Sequence, residues 1–498
     1  MILFLIVFLC TFCLFACTDP KGTVRPEETD QTAVPMETET TSDTVPVSSG
    51  TAYTSDVPAP SVPKEVDTDV IAYRTFFGKS MQIGVAELNY RTLAAEGSGL
   101  YDLSSRDTFT HERVLRMIES YSLDPFVLLD GHSFSAEEKE ALKQYRNTDA
   151  LRKTDLSQPV DVRLAVLTQN ADLRSFPTDR VGLSAGMDVH FDLFQETKLL
   201  YGSCVKVLWQ TSDLQWYFVQ GENYYGWIRY TDLAFCSETD FETFFCPDQF
   251  IVTLSHEGTK PWHRMGVVLP YREMMTSETT VERIVLCPVR KEDGTLEVRT
   301  DRMSSKESTS GRYSDGFLPF SNSEFRKLMQ TMLDAPYGWG DMDNEGRMAY
   351  DCSSTINSVL KCFGIYMPRN SSQYRYSGAE VIDLTSLSAE EKFRALEAHP
   401  VAVLMAPGHV MFNDRSYNES ASEAVLQRKH SIIHNAAVFG EAQATAAGTT
   451  EVQRYECYHC VRSQLDDIYG SDYTVPYIQK ISLLLDFSAA ESPQMKMN

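Results

Sequence analysis

The stretch Tyr350-Asp351-Cys352-Ser353-Ser354-Thr355-Ile356-Asn357-Ser358-Val359-Leu360-Lys361-Cys362-Phe363-Gly364 constrains the fold more than any other part of the chain. Ile356, Val359, Leu360 and Phe363 recur at i, i+3, i+4 and i+7, the buried stripe of an amphipathic helix. Asp351 suits its N-cap and Gly364 its end. Such a stripe must be covered by a sheet or by other helices. Cys352 then falls in the first turn, facing unpaired backbone N–H groups and the positive end of the helix dipole, both of which lower a thiol pKa. The thiolate is the nucleophile, so this position predicts a catalytic cysteine. Cys362, beside the stripe, is predicted to be a packing residue.

A cysteine nucleophile needs a base. Pro407-Gly408-His409-Val410-Met411-Phe412 reads as a strand entered from a turn, with His409 on the face opposite Val410 and Phe412. Ser431-Ile432-Ile433-His434-Asn435-Ala436 reads as a second strand. His409 is the predicted base and His434 the group that orients it, as the third member of a triad does. His430 shares a strand face with His434 but lies about 13 Å away at ~3.3 Å per residue, so only one of them can meet His409. His434 is taken as the partner because an apolar segment and Gly440 follow it.

The N-terminus frames where such an enzyme works. Ile2 to Phe15 is apolar but for Thr11, the length of a signal-peptide core, and it leads into Ala16-Cys17. This resembles a lipoprotein signal in which Cys17 carries the lipid, giving an exported chain anchored to a bacterial membrane and facing the periplasm or cell wall. Residues 18–65 are rich in Thr, Ser, Pro and Glu and cannot bury enough apolar surface to order, so they read as a tether. With Lys+Arg 45 against Asp+Glu 69, the net charge of −24 argues against nucleic acid as a partner. The sparse cysteines, among them the lone Cys457-Tyr458-His459-Cys460, do not make a zinc site, and nothing requires a cofactor.

Between tether and nucleophile the pattern changes twice. Residues 66–158 read as partly helical, with Val114, Met117 and Ile118 at helical spacing and a capping box at Ser135-Ala136-Glu137-Glu138. Short alternating runs follow. Val162-Leu164-Val166, Val189-Phe191-Phe194, Val205-Val207-Trp209, Trp216-Phe218 and Tyr224-Tyr225-Gly226-Trp227 suggest a small barrel at 159–237. A second barrel is read at 238–312, with a hairpin turn at Lys291-Glu292-Asp293-Gly294. The nucleophile lies in a third body at 313–487, and 488–498 is read as a flexible tail.

Tyr337-Gly338-Trp339-Gly340, Asp351-Cys352-Ser353, Met367-Pro368-Arg369-Asn370-Ser371-Ser372-Gln373, Gly408-His409 and Ile433-His434-Asn435 resemble the NlpC/p60 cysteine peptidases, and 159–237 is similar to the bacterial SH3-like domains that precede them. Asp341 and Ser354 depart from the family, which usually has Gly there. The resemblance implies an α+β chain: a papain-like domain preceded by two SH3-like barrels and a partly helical segment. It implies hydrolysis of the γ-D-glutamyl–diamino acid bond of peptidoglycan stem peptides or released muropeptides, by a monomer. It further implies that Asp351, Ser353, Ser371 and a barrel tyrosine such as Tyr225 hold a free L-Ala amine. Two alternatives stay open: a non-catalytic peptidoglycan-binding lipoprotein, and an NlpC-like amidase or acyltransferase.

Overall fold

The structure, a computed structural model, describes residues 81–491 except 106–107, 124–125, 130, 185–189, 276–280, 309, 345, 416–429, 445–448 and 471–472. The expected signal, Cys17 and the tether lie outside the described residues.

Three helices open the described chain: α1 (Ile83–Ala94), α2 (His111–Glu119) and α3 (Ala136–Tyr145). The Ser135–Glu138 capping box starts α3. Val114, Leu115 and Ile118 of α2 pack on Trp216, Phe218 and Trp227 of the first sheet. Helix α1 goes elsewhere: Val85 and Leu88 join Phe317, Phe320 and Phe363 in the core of the third body. Buried Asn89 fastens it there, donating to the Gly364 carbonyl at 2.7 Å and accepting from the Tyr366 N–H at 3.0 Å. Gly364, with φ 77°, ends the helix that starts at Cys352, so α1 braces the far end of that helix.

The first sheet contains β1 (Arg163–Leu167), β2 (Ala171–Arg174), β3 (Gln195–Leu199), β4 (Cys204–Gln210), β5 (Trp216–Gln220), β6 (Tyr225–Arg229) and β7 (Leu233–Phe235), in the order β3-β2-β6-β5-β4-β1-β7. The strand expected through Phe191 and Phe194 does not form. Asp192 makes a turn there: its Oδ1 accepts from the N–H groups of Gly182 and Phe194, both at 3.0 Å, and its Oδ2 pairs with Arg174 at 2.8 Å. An aspartate that satisfies nearby backbone competes with a strand ladder, and alternation alone does not register this.

Helix α4 (Glu238–Phe245) leads to a second antiparallel sheet of β8 (Phe250–Thr253), β9 (Val268–Met275), β10 (Val281–Arg290), β11 (Leu296–Met303) and β12 (Tyr313–Asp315), ordered β11-β10-β9-β8-β12. Tyr313 pairs with Thr253, so this sheet runs past the expected end at 312.

The third body places α5 (Asn322–Gln330) and α6 (Cys352–Lys361) on one face of a sheet and α7 (Ala389–Ala398) on the other. The sheet is built from β13 (Glu380–Asp383), β14 (Val401–Ala406), β15 (His409–Asp414), β16 (Ser431–Ala444), β17 (Thr450–Gln464) and β19 (Leu483–Asp486), in the order β13-β19-β14-β15-β16-β17, with β18 (Ile468–Tyr469) on β16. The stripe Ile356, Val359, Leu360 and Phe363 packs on Val403, Val410, Phe412 and Ile433 of that sheet. Ser488–Glu491, expected to begin a flexible tail, forms a short 3-10 helix instead. Ala490 is fully buried and Glu491 accepts from the Asn322 N–H at 2.6 Å.

Asn89→Ala leaves a buried carbonyl and a buried N–H without partners, so it should cost about 2 kcal/mol in urea unfolding. A loss below about 0.5 kcal/mol would mean that α1 does not brace α6.

Candidate active site

Cys352 is the first residue of α6 because Asp351 caps that helix. Asp351 Oδ1 accepts from the Ser354 N–H at 2.8 Å and from the Ser353 hydroxyl at 2.9 Å, and the Ser354 side chain returns a bond to the Asp351 N–H at 2.9 Å. This capping box uses the Ser that stands where the family usually has Gly. The other oxygen, Oδ2, meets Arg369 Nη2 at 2.5 Å. Burial opposes ionisation of Asp351, but the Arg369 charge and the N–H of Ser354 hold its carboxyl below the usual range. Oδ1 thus caps the helix and Oδ2 faces Arg369.

Arg369 extends this contact. Its Nη1 donates to Ser353 Oγ at 2.9 Å and its Nε to Thr197 Oγ1 of β3 at 2.6 Å. Asp341 lies 3.8 Å from the Arg369 guanidinium and 3.3 Å from Arg264, which comes from the β8–β9 connection. Asp341 has φ 66°, the left-handed region that explains the customary Gly; here two guanidiniums hold the carboxylate in place. At neighbouring Gly340, a Cβ would stand 2.7 Å from the Gln195 carbonyl oxygen, so only Gly lets β3 dock on this loop.

The sheet brings the two histidines together. His409 opens β15 and His434 lies on β16, with His409 Nε2 and His434 Nδ1 2.9 Å apart. His434 Nε2 lies 3.0 Å from Ser463 Oγ of β17. The Val410 N–H acts on the Cys352 sulfur, setting the His409–Val410 peptide against it. Asn435 ties the strand to the helix, donating to the Tyr350 carbonyl at 3.0 Å and to Thr355 Oγ1 at 3.1 Å. His430 lies apart, stacked on Phe393 at 4.4 Å between ring centroids.

These tautomers are linked. If His409 Nδ1 is to accept a proton, its Nε2 carries one and donates to His434 Nδ1; His434 then donates from Nε2 to Ser463. Burial lowers the His409 pKa to about 4 and, with His409 beside it, holds His434 well below the usual imidazole range. Burial and the Asp351 charge push the Cys352 thiol up to about 12, against the pull of the Val410 and Ser353 N–H groups and Arg369. The helix terminus therefore does not win, contrary to the expectation from sequence. Both shifts favour the neutral thiol and the neutral imidazole.

The two neighbouring tyrosines of the first sheet make different contacts. The Tyr225 ring lies among Tyr101, Tyr121 and Phe218, with centroids 5.9–6.2 Å away. The Tyr224 ring stacks on Tyr225 with centroids 6.1 Å apart, and its hydroxyl donates to Glu196 Oε2 at 2.6 Å and is also bonded to the Asn370 side chain. Burial lifts the Glu196 carboxyl to about 7. Ser353 sits within the Asp351–Arg369 cluster, and Ser371 opens a 3-10 helix just beyond Arg369. Phe191 reaches from the first sheet to Tyr337 and Trp339, at 6.1 and 5.6 Å between centroids. Burial and the nearby Cys352 keep the Tyr337 hydroxyl protonated. Sequence reasoning gave no roles to Arg369, Ser463, Glu196 or Tyr337.

The family model for SH3 domains of the SH3b1 type matches residues 183–229. The whole fold is similar to that of an NlpC/P60 endopeptidase from Photobacterium damselae subsp. piscicida, with a TM-score of 0.56 and 14% identity over 87% of this chain and 95% of that one. No curated protein matches the sequence. The chain is thus NlpC/P60-like in fold and carries an SH3 domain.

A neutral pair makes a definite pH prediction. Alkylation of Cys352 by iodoacetamide should rise about tenfold per pH unit from 7 to 10, following the thiolate fraction. A base works unprotonated, so kcat/KM should fall on the acid side only as pH approaches about 4, the His409 value. An alkylation plateau below pH 8 would mean a preformed thiolate–imidazolium pair.

Proposed function

We propose that the chain is a cell-wall cysteine endopeptidase hydrolysing the γ-D-glutamyl–diamino acid amide bond of peptidoglycan stem peptides. The observation that carries this reading is the His409–His434 bond set beside the helix that starts at Cys352, within an NlpC/P60-like fold that has an SH3 domain. As the Cys352 sulfur attacks the γ-carbonyl, His409 Nδ1 takes the thiol proton and then delivers it to the leaving amine. The L-Ala-D-Glu portion remains as a thioester until water, deprotonated by His409, releases it. The Cys352 backbone N–H, unpaired in the first helical turn, and the Tyr337 hydroxyl are the donors for the developing oxyanion.

The substrate amine is assigned to Glu196 and Tyr224 rather than to Asp351. Glu196 is half-buried and its carboxyl is raised to about 7, so it lacks a full counter-charge. A free L-Ala ammonium would supply that charge, and an acylated amine would not. Released muropeptides are then preferred over glycan-linked stems. The enzyme acts as a monomer, exported and held to the membrane through lipidated Cys17.

Digestion of L-Ala-γ-D-Glu-diamino acid peptides tests the reaction, and Cys352→Ala should be inactive with its fold intact. Glu196→Gln should lower kcat/KM on the free-amine peptide at least tenfold while sparing any slow turnover of the N-acetylated one. Equal wild-type rates on the two peptides would remove the amine filter. Asp351→Asn should act on stability instead, costing about 3–5 kcal/mol, because it leaves Arg369 buried without its partner. Detergent-phase partitioning should be lost in Cys17→Ser; equal partitioning would leave an uncleaved anchor as the better account.

A further inference from the structure

The hydrogen bond to His434 fixes one atom of the His409 ring, and one atom does not fix a plane. Rotation about χ2 of a histidine is broad and roughly two-fold, so the ring also needs packing on its face. Tyr477 supplies it: its ring lies against that of His409, with centroids 5.4 Å apart and planes 33° from parallel. On the second imidazole, Phe439 packs against His434 with centroids 5.0 Å apart. Phe439 belongs to β16 and is held by the ladder to β17, opposite Tyr455. Tyr477 stands on no strand; it opens α8 (Tyr477–Lys480), a helix of four residues. A single turn is not stable alone, because fixing its dihedrals costs more than its few hydrogen bonds return.

Two contacts hold α8 in place. Tyr477, Ile478 and Ile481 pack with Leu396 of α7, Leu404 of β14 and Met411 of β15. Met411 is two residues on from His409 and shares its strand face, so α8 covers the face that carries His409. The second contact is Lys392 of α7, which is only 2% exposed. Its Nζ donates to the Gln479 carbonyl at 2.8 Å and to the Ile481 carbonyl at 2.7 Å. These carbonyls lie at the end of α8, where helical partners run out and a cation is favoured. A lysine is almost never buried without a charged partner, yet among the described residues no carboxylate acts on this one. The two bonds to α8 are what this buried amine has in place of an ion pair.

We propose that Tyr477 is a positioning residue for His409, set in place by the buried Lys392. His409 has to present Nδ1 to the Cys352 thiol while its Nε2 stays on His434 Nδ1, and a ring free to turn about χ2 does not hold both. A displacement of about 1 Å in a reacting group can cost about 100-fold in rate, so a contact that touches neither Cys352 nor substrate still governs turnover. This rests on the peptidase reading above and adds to it the element that sets the plane of the base.

Three variants of the full chain provide the test: Tyr477→Phe keeps the ring, Tyr477→Leu removes it, and Lys392→Met removes the anchor. Rates on L-Ala-γ-D-Glu-diamino acid peptide are measured well below each variant's unfolding temperature. Tyr477→Leu and Lys392→Met should lower kcat at least about tenfold with KM within about threefold, whereas Tyr477→Phe should keep most of the parent kcat. 15N NMR of histidine-labelled chain reads the ring directly, the His409 signal being identified by its loss in His409→Gln. At pH 7, above the His409 value of about 4, the parent and Tyr477→Phe should show one tautomer, with the proton on Nε2, and the other two variants a mixture. An unchanged kcat in Tyr477→Leu or Lys392→Met, an equal loss in Tyr477→Phe, or a single Nε2–H tautomer throughout would overturn the proposal. The NMR readout needs no substrate. A chain that hydrolyses no stem peptide yet shows these tautomers would sink the peptidase reading and support the positioning role.

Discussion

Four buried side chains of alternating charge hold the site together: Asp351, Arg369, Asp341 and Arg264, at 7%, 6%, 3% and 1% exposure. Each comes from a different stretch of chain, and Thr197 adds a fifth contribution from β3. Charges this far from water are tolerated because each faces its opposite, and removing one strands its neighbour at a cost of several kcal/mol. The cluster therefore couples the capping of α6, and so the position of Cys352, to the docking of the SH3 domain and of the second sheet. Elements that sequence treats as separate domains share one electrostatic centre next to Cys352.

That coupling also shapes the chemistry. Asp351 is placed to start the helix, but its charge lies beside the thiol and disfavours the thiolate. His409 is oriented by a histidine, which adds no negative charge to stabilise an imidazolium. Both features favour a neutral thiol and a neutral imidazole; in the proposed reaction the proton moves as the sulfur attacks. The His409–His434–Ser463 chain then serves to fix a tautomer rather than to store a charge.

Local signals were legible in the sequence, and long-range contacts were not. The stripe of α6, its Asp351 cap, the Ser135 capping box and the strand around His409 follow from spacing and capping chemistry. The choice of His434 over His430 does not rest on strand phase, which the two share; it rests on the apolar segment and Gly440 that follow His434, the histidine that lies 2.9 Å from His409. The partner of the second Asp351 oxygen was hidden because Arg369 is far along the chain and reaches it only through tertiary packing. Ser463 was hidden for a related reason: a register shift between Ala436 and Val438 breaks the β16–β17 pairing, so cross-strand neighbours cannot be counted from the turn. Tyr224, which bonds Glu196, stands just ahead of the strand that starts at Tyr225, so strand alternation gave no signal for that contact. The burial of Cys352 and the charge of Asp351, which raise its thiol pKa, come from tertiary packing and from the cap itself, whereas helix position alone points the other way.

The account's central claim is that Cys352 forms the bond to the glutamyl γ-carbon. Mass spectrometry of the enzyme quenched in acid during turnover of L-Ala-γ-D-Glu-diamino acid peptide tests it most directly. The account predicts a peptide containing Cys352 that is heavier by one L-Ala-D-Glu acyl group, labile to hydroxylamine, and missing when His409 is replaced by Ala. Steady hydrolysis with the acyl group on another residue, or a thioester that forms equally well without His409, would contradict it.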